Sequence, residues 1–349
     1  FEGLLIANRD SAIAGLTAAE VSALSTAQVS ALTSAQVAAM SSQLIGFTAA
    51  QIAALTSTAI AGLTQVEVSA LTATQVSGLT SDQVAAMSSQ LKGFSSAQIG
   101  ALTPTAISVL TTEQVSALTP TQVSGLTSSQ LQAMASQLTT FTSNQIGALN
   151  PTAAAGLTSA EVSSLTTTQV SGLTSGQVAA MSAQLTLFTP VQIGALSPSA
   201  ITGLTLFEVA ALTLEQISGL THDQVGAMDT QLKGFTSDQI GALSTTAITG
   251  LTKAQVFDLT TPQVYGLTSA QVAAMGPQLT NFSSDQVGAL SPTAISGLTQ
   301  AEVSALTTRQ ISGLTSDQVA AMGAQLTGFT SAQIEALKPT AIAGLTQEE

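Results

Sequence analysis

An eight-residue unit recurs along almost the whole chain, and its period limits what the chain can fold into. Residues 33–40 read TSAQVAAM, and close variants follow, such as TATQVSGL at 72–79 and TSDQVAAM at 315–322. An α-helix turns about 100° per residue, so eight residues advance about 80° beyond two full turns. Because the apolar positions would wind around a continuous helix, the unit predicts a succession of short helices instead.

A longer period is superimposed on the octads. The unit SSQLIGF at 41–47 is one residue short, and it returns as SSQLKGF at 88–94 and GAQLTGF at 323–329. Five octads plus one such heptad make a superrepeat of 47 residues, which all seven Met residues and seven of the ten Phe residues follow. We expect one superrepeat to form one coil, so that Met stacks on Met and Phe on Phe; the alternative is two or more coils per superrepeat. The predicted core residues are Met40, Phe47, Met87, Phe94, Met134, Phe141, Met181, Phe188, Met228, Phe235, Met275, Phe282, Met322 and Phe329.

The polar residues of the octad predict where each helix begins. Thr or Ser at the first position and Gln or Glu at the fourth form a capping box, and the flanking Leu and Val form a hydrophobic staple. Eight of the nine prolines directly follow the cap position, where the missing N–H costs nothing. Gly at the seventh position, as in Gly78 and Gly125, predicts a left-handed end of the helix. The representative predicted caps are Thr33, Gln36, Thr80, Gln83, Thr127 and Gln130.

These signals predict an all-α solenoid of very short capped helices, since a single turn is unstable alone and must stack on its neighbours. The alternative is a β-solenoid, which short repeats rich in Thr and Val also build. We expect one continuous array over residues 9–345 with about seven superrepeats. Residues 1–8, FEGLLIAN, form an atypical N-terminal segment or cap, and residues 346–349 form a tail or the start of a further unit.

The composition argues against several functional classes. The net charge is −13 and only six Lys and Arg residues are present, whereas nucleic-acid binding needs clustered basic residues. Apolar runs are too short to span a membrane, and the chain has no Cys for disulfides or thiolate metal sites.

The side chains that could carry out chemistry are few and scattered. His222 is the only histidine, and Asp82, Asp223, Asp238, Asp285 and Asp317 each occupy the third position of an octad. A carboxylate at that position favours the positive end of a helix dipole, which accounts for these residues without a metal. We therefore predict no catalytic site, no metal, no cofactor and no enzyme activity.

Tandem units of the form LTxxQVxAL resemble the Leu-Thr-Gln repeat regions of very large Gram-negative surface or secreted proteins described as adhesin-like, haemolysin-like or haem-utilisation-like. The units that carry the resemblance include LTSAQVAAM at 32–40 and LTPTQVSGL at 118–126, and the pattern extends over residues 9–349. The resemblance implies an extracellular or cell-surface structural array of bacterial origin. It transfers no haem-binding or toxin residue to this chain.

The sequence therefore leads to two hypotheses about function. The first is a structural protein that forms a rod or filament, as in a surface fibre, sheath or adhesin stalk, with self-association end to end or laterally. The second is a binding module whose exposed Ser and Thr residues hold carbohydrate, ice or a protein partner. Aligned ranks of free Thr hydroxyls would favour the second hypothesis, whereas hydroxyls used as helix caps would count against it.

Overall fold

The computed structural model describes residue 13 and residues 15–345, and both predicted terminal segments, 1–8 and 346–349, lie outside this range. The described chain is an all-α solenoid, as predicted, with no strand among these residues. It divides into two compact units, residues 1–173 and 174–349, and the boundary falls between two octads.

The helices of the first unit, with η for 3₁₀-helices, are α1 (Ala18–Ser22), α2 (Thr26–Ser30), α3 (Ser34–Ala39), η1 (Ser41–Gly46), α4 (Ala49–Ala54), α5 (Ser57–Ala61), α6 (Gln65–Ser69), α7 (Ala73–Val76), α8 (Ser81–Ala86), η2 (Gln90–Gly93), α9 (Ser96–Ala101), α10 (Pro104–Ile107), α11 (Thr112–Ser116), α12 (Pro120–Val123), α13 (Ser128–Ala133), η3 (Leu138–Thr140), α14 (Ser143–Ala148), α15 (Pro151–Ala155), α16 (Ser159–Ser164) and α17 (Thr167–Val170).

The helices of the second unit are α18 (Ser175–Ala180), η4 (Leu185–Leu187), α19 (Pro190–Ala195), α20 (Pro198–Ile201), α21 (Leu206–Ala211), α22 (Leu214–Ser218), α23 (His222–Ala227), η5 (Gln231–Gly234), α24 (Ser237–Ala242), α25 (Thr245–Ile248), α26 (Lys253–Asp258), α27 (Thr261–Tyr265), α28 (Ser269–Met275), η6 (Gly276–Asn281), α29 (Ser284–Ala289), α30 (Pro292–Ile295), α31 (Gln300–Ala305), α32 (Thr308–Ile311), α33 (Ser316–Met322), η7 (Gly323–Gly328), α34 (Ser331–Ala336) and α35 (Pro339–Ile342).

In all but the last described octad, whose first residue is Lys338, the side chain at the first position caps the helix. In α3 the hydroxyl of Thr33 accepts a hydrogen bond from the backbone N–H of Gln36, and the side chain of Gln36 accepts one from the N–H of Thr33. The two bonds satisfy donors that a helix of this length cannot satisfy internally. The same reciprocal pair occurs at Thr80 with Gln83 and at Thr127 with Gln130.

One coil of the solenoid contains three of these units, in both compact units of the chain. Helix α3 packs against α5, which starts 23 residues later, and α5 packs against α8, which starts a further 24 residues later. One coil therefore corresponds to half of the 47-residue superrepeat. The expectation that one superrepeat equals one coil is wrong, because three short units are already enough to bring the chain back over itself.

The three units of a coil form three parallel stacks, which we call stacks 1, 2 and 3. Stack 1 alternates an octad helix with a 3₁₀ heptad, and stack 3 alternates a Met-containing unit with a unit that has Ala in place of Gln. The first coil contributes α1 to stack 1, α2 to stack 2 and α3 to stack 3; the next contributes η1, α4 and α5 in the same order.

The core lies between the stacks and is built from the fifth and eighth positions of the units. Val37, Ile52 and Val68 are fully buried, and Leu32 and Leu55 are 3% exposed. Of the fourteen predicted Met and Phe core residues, all are buried except Phe329, which is half-buried in the last described coil. Because one coil is half a superrepeat, Met40 and Met87 do not stack directly; the unit that ends in Leu63 lies between theirs.

The glycines at the seventh position serve close packing and do not end helices in a left-handed conformation. Among the described glycines only Gly323 has a positive φ, of 46°, and Gly62 ends its helix at φ −77° in the right-handed region. A Cβ on Gly125 would instead collide with the carbonyl oxygen of Ser96, one coil earlier in stack 2. The predicted left-handed stop is therefore wrong, and Gly is required there because two backbones touch.

Candidate functional site

The fourth residue of most octads joins successive coils as well as capping its own helix. The side-chain amide of Gln51 donates to the carbonyl oxygens of Val21 at 3.0 Å and Leu24 at 2.7 Å, in the preceding coil. Gln83 makes the same pair of bonds to Ile52 and Leu55, each at 2.7 Å. These carbonyls lie at a corner between two short helices. Val21 and Ile52 also accept the backbone N–H groups of Leu24 and Leu55, whereas the carbonyl oxygens of Leu24 and Leu55 receive their donor from the glutamines.

Sequence analysis assigned these glutamines only to caps and missed their second contact. A capping box works equally well with Glu, because only the side-chain oxygen is used. The preference for Gln in most units was therefore the available signal that the amide NH₂ group has a partner of its own. The carboxamide is buried in nearly every case, for example 2% exposed at Gln36 and 1% at Gln83 and Gln130.

Stack 1 departs from this pattern, since five of its octads carry Glu at the fourth position: Glu20, Glu67, Glu161, Glu208 and Glu302. At the corner that precedes these octads, the carbonyl oxygen of Met40 already accepts a hydrogen bond from the N–H of Gln43 at 2.6 Å within the 3₁₀ turn. An amide at the fourth position would lose one of its two acceptors there. A carboxylate has no N–H to satisfy and so fits this corner.

In Glu67 and Glu302 the second carboxylate oxygen lies against the first residue of the preceding heptad. In Glu67, Oε1 accepts a hydrogen bond from the hydroxyl of Ser41 at 2.8 Å. In Glu302, a Cβ added to Gly276 would approach Oε1 to 2.5 Å, which places the two residues in the same relation. In Glu161 the corresponding heptad residue is Ala135, and Oε1 is buried without a hydrogen-bond partner.

The two sides of a stack 1 octad pack differently. A Cβ on Gly234 would come within 2.6 Å of the carbonyl oxygen of Leu206, so the following heptad lies directly against α21. On the other side, a cleft of about 470 Å³ separates α21 from the preceding heptad. It is lined by Ser182, Ala183, Leu185, Thr186, Thr205, Phe207, Glu208, Ala211 and Leu212.

This cleft combines apolar walls with one carboxylate. Phe207 is 84% exposed, the most exposed large apolar side chain in the described chain, whereas Glu208 is only 8% exposed. Oε2 of Glu208 accepts hydrogen bonds from the N–H of Thr205 at 2.7 Å and from its hydroxyl at 2.9 Å. The unit TLFEVAAL places two large apolar residues at exposed positions, which was the sequence signal for this surface.

The remaining titratable groups are dispersed. His222 is about half exposed and its Nδ1 lies 3.0 Å from Oδ1 of the adjacent Asp223. Asp82, Asp223, Asp238, Asp285 and Asp317 each lie in the first turn of a helix. Within residues 13 and 15–345 no group of three metal-ligating side chains converges, and no helix is long and apolar enough to cross a membrane.

Hydrogen bonds at helix N-termini lower the pKa of two exposed carboxylates. The hydrogen bond from the N–H of Thr17, followed by that from its hydroxyl, lowers the pKa of Glu20 below its ordinary value. The pKa of Glu113 is lowered by a hydrogen bond from its own backbone N–H and by the hydroxyl of Thr111. Both effects follow from donors at a helix N-terminus that favour the ionised form.

The repeated coil and its hydrogen-bonded corners define a repeat protein of the all-α solenoid class. Two segments, residues 13–42 and 92–128, match the model of the ALTTAQ repeat family. Both segments lie within the repeat array. No curated protein matches the chain.

Proposed function

We propose that the chain is a structural protein of the cell surface or extracellular space that forms a rod or filament and does not act as an enzyme. The observation that carries this proposal is the repeated joining of successive coils by glutamine side chains of stacks 2 and 3 in each compact unit. Glutamine side chains make the same bonds at Gln51, Gln130 and Gln318, to residues 27 to 31 positions earlier. A repeated connection between coils favours length over a single specialised site.

Self-association end to end is supported by the last described coil. Ile334 is 47% exposed and Phe329 and Leu326 are half-buried, whereas their counterparts one superrepeat earlier, Val287, Phe282 and Leu279, are buried. A further coil with the same repeat would cover these side chains. A second copy that supplied such a coil would make a head-to-tail, open-ended assembly.

The hydroxyl groups do not favour the alternative of a Ser/Thr-rich binding face. The hydroxyls at the first position accept backbone hydrogen bonds as caps, as at Thr48 and Thr142, and several also contact the capping side chain. A rank of such hydroxyls is already occupied. Carbohydrate or ice binding through these residues would have to displace the caps, which costs about 1 kcal/mol each.

Negative-stain electron microscopy of the purified chain over a range of protein concentrations tests the proposal. We expect particles that grow longer with concentration while their width stays constant. A variant with I334D and F329D should remain short, because charges on the uncovered side chains oppose docking of another coil. A matched control, Thr308→Asp, places charge on an exposed residue within the array and should assemble normally.

Deletion of residues 205–251, one superrepeat, tests the structural role separately from assembly. Because the deletion rejoins two equivalent positions of the repeat, the shortened chain should fold and give a particle that is shorter by two coils. Particles of unchanged length, or a globular particle by small-angle X-ray scattering, would show that copy number does not set length and would refute the proposal.

A further inference from the structure

The cleft beside α21 has the features of a binding site that the proposed structural role does not require. Leu185 and Leu212 are buried in its walls, at 2% and 4% exposure, and Ala211 and Ala183 leave room between them. Phe207 stands at 84% exposure on the same cleft. An exposed aromatic side chain beside an apolar cleft loses water-accessible apolar area when a ligand covers it, which favours binding.

The Glu208 carboxylate is the one ionisable group among the residues that line the cleft. Glu208 is 8% exposed, and its Oε2 is held by Thr205, so the carboxylate has a fixed position. None of the residues that line the cleft is basic, and the whole chain carries a net charge of −13. A carboxylate in a largely apolar cleft attracts a cation more strongly than one in open water, because screening is weaker there.

We propose that this cleft binds a lysine or arginine side chain from a basic segment of a partner protein. The aliphatic stem packs against Leu185, Ala211 and Leu212, and the cationic head lies between the Glu208 carboxylate and the ring of Phe207. Lys and Arg combine an apolar stem with a charged tip, which matches a cleft that has apolar walls and one buried carboxylate. The aromatic ring adds a cation–π contact.

The surrounding chemistry favours this occupant over a bare metal ion or a neutral apolar ligand. A divalent ion takes several oxygen ligands, and here one carboxylate, already used in part as a helix cap, faces the cleft. A neutral ligand would leave the carboxylate without compensation when it excluded water. The interaction goes beyond the proposed structural function, since a filament can form without it.

A titration followed by methyl NMR on the full chain tests the proposal. The probe is the peptide acetyl-Ala-Leu-Lys-Leu-Ala-amide, and the comparison is the same peptide with norleucine in place of Lys. We expect saturable shifts of the Leu185 and Leu212 methyl signals, with the lysine peptide bound about tenfold more tightly than the norleucine peptide.

Three variants separate the contributions. In E208Q the preference for lysine over norleucine should disappear, while the fold is kept because Gln stands at the equivalent position 255 in the same stack. In F207S both peptides should bind more weakly. In F257S, which removes another exposed aromatic side chain from a stack 1 helix without altering the cleft, both affinities should stay unchanged.

Three results would overturn the proposal. Equal affinity for the two peptides in the wild-type chain would show an apolar surface without charge selection and would overturn it. Retention of the lysine preference in E208Q, or shifts that do not saturate, would do the same. Because the readout is local to the cleft, it does not depend on whether the chain assembles into filaments.

Discussion

Replacing Gln with Glu at two equivalent fourth positions should have very different effects, because the two amides have different partners. The amide of Gln130 donates to the carbonyl oxygens of Ile99 and Leu102, both at 2.7 Å, and the residue is 1% exposed. The amide of Gln114, in stack 1, reaches only the carbonyl oxygen of Ala85, at 3.5 Å. Both residues also cap their own helices through Oε1.

In Q130E the cap is retained, but an oxygen replaces the NH₂ group opposite two buried carbonyls. Two hydrogen bonds are lost at about 1 kcal/mol each. The carbonyl oxygen of Ile99 still accepts the N–H of Leu102 at 3.2 Å, but the carbonyl oxygen of Leu102 loses its donor and faces a new buried charge. We expect a loss of about 3–5 kcal/mol in the local free energy of opening, comparable to breaking a buried ion pair. In Q114E we expect a loss below about 1 kcal/mol, since Glu67 and Glu161 already occupy this position in the same stack.

Native-state hydrogen exchange is the appropriate assay because repeat arrays open locally and need not unfold in two states. The amides of helices α9 and α13 report on Q130E, and those of α11 on Q114E. Q130A provides a control that removes both the cap and the bridge without adding charge. If Q130E and Q114E changed the local opening free energies equally, the bridging role of the buried glutamines would be refuted.

Three further predictions concern packing, satisfaction of a buried oxygen and pH. Gly125→Ala should destabilise its coil by about 1–3 kcal/mol, because the new methyl group would collide with the carbonyl of Ser96 and force two coils apart; urea unfolding followed by circular dichroism measures this. Ala135→Ser should stabilise helix α16 by about 1–2 kcal/mol by donating a hydrogen bond to Oε1 of Glu161, which hydrogen exchange detects. The lowered pKa of Glu20 means that its stabilising contribution is present above 4.5, the ordinary value, and is lost as pH falls through the folded-state pKa; NMR titration of its carboxyl carbon measures the shift.

Each of these has a matched control. Ser124→Ala changes an exposed neighbour of the packed glycine and should alter stability by less than about 0.5 kcal/mol. Ser41→Ala removes the existing hydroxyl partner of Glu67 and should have the opposite sign to Ala135→Ser. Thr17→Val removes the hydroxyl donor and should raise the pKa of Glu20 toward 4.5; an unchanged pKa would contradict the assigned cause.

The sequence by itself determined the features that depend on contacts within one unit. The capping pair of Thr33 and Gln36 spans three residues, and the apolar fifth and eighth positions follow from the octad, so short capped helices and the identity of the core could be predicted. These contacts form between residues of the same helical turn. They need no information about where the next coil lies.

The tertiary structure alone decided how many units complete a coil and which groups meet across it. That number depends on the backbone direction at each corner, such as ψ 163° at Thr33 and ψ 142° at Leu55, and small differences there accumulate over a coil. The 47-residue period is compatible with one coil or two, so the bridge from Gln51 to Leu24, the contact of Gly125 with Ser96 and the cleft at Glu208 could not be derived from it. All three join residues more than twenty positions apart, and such contacts exist only once the coils are stacked.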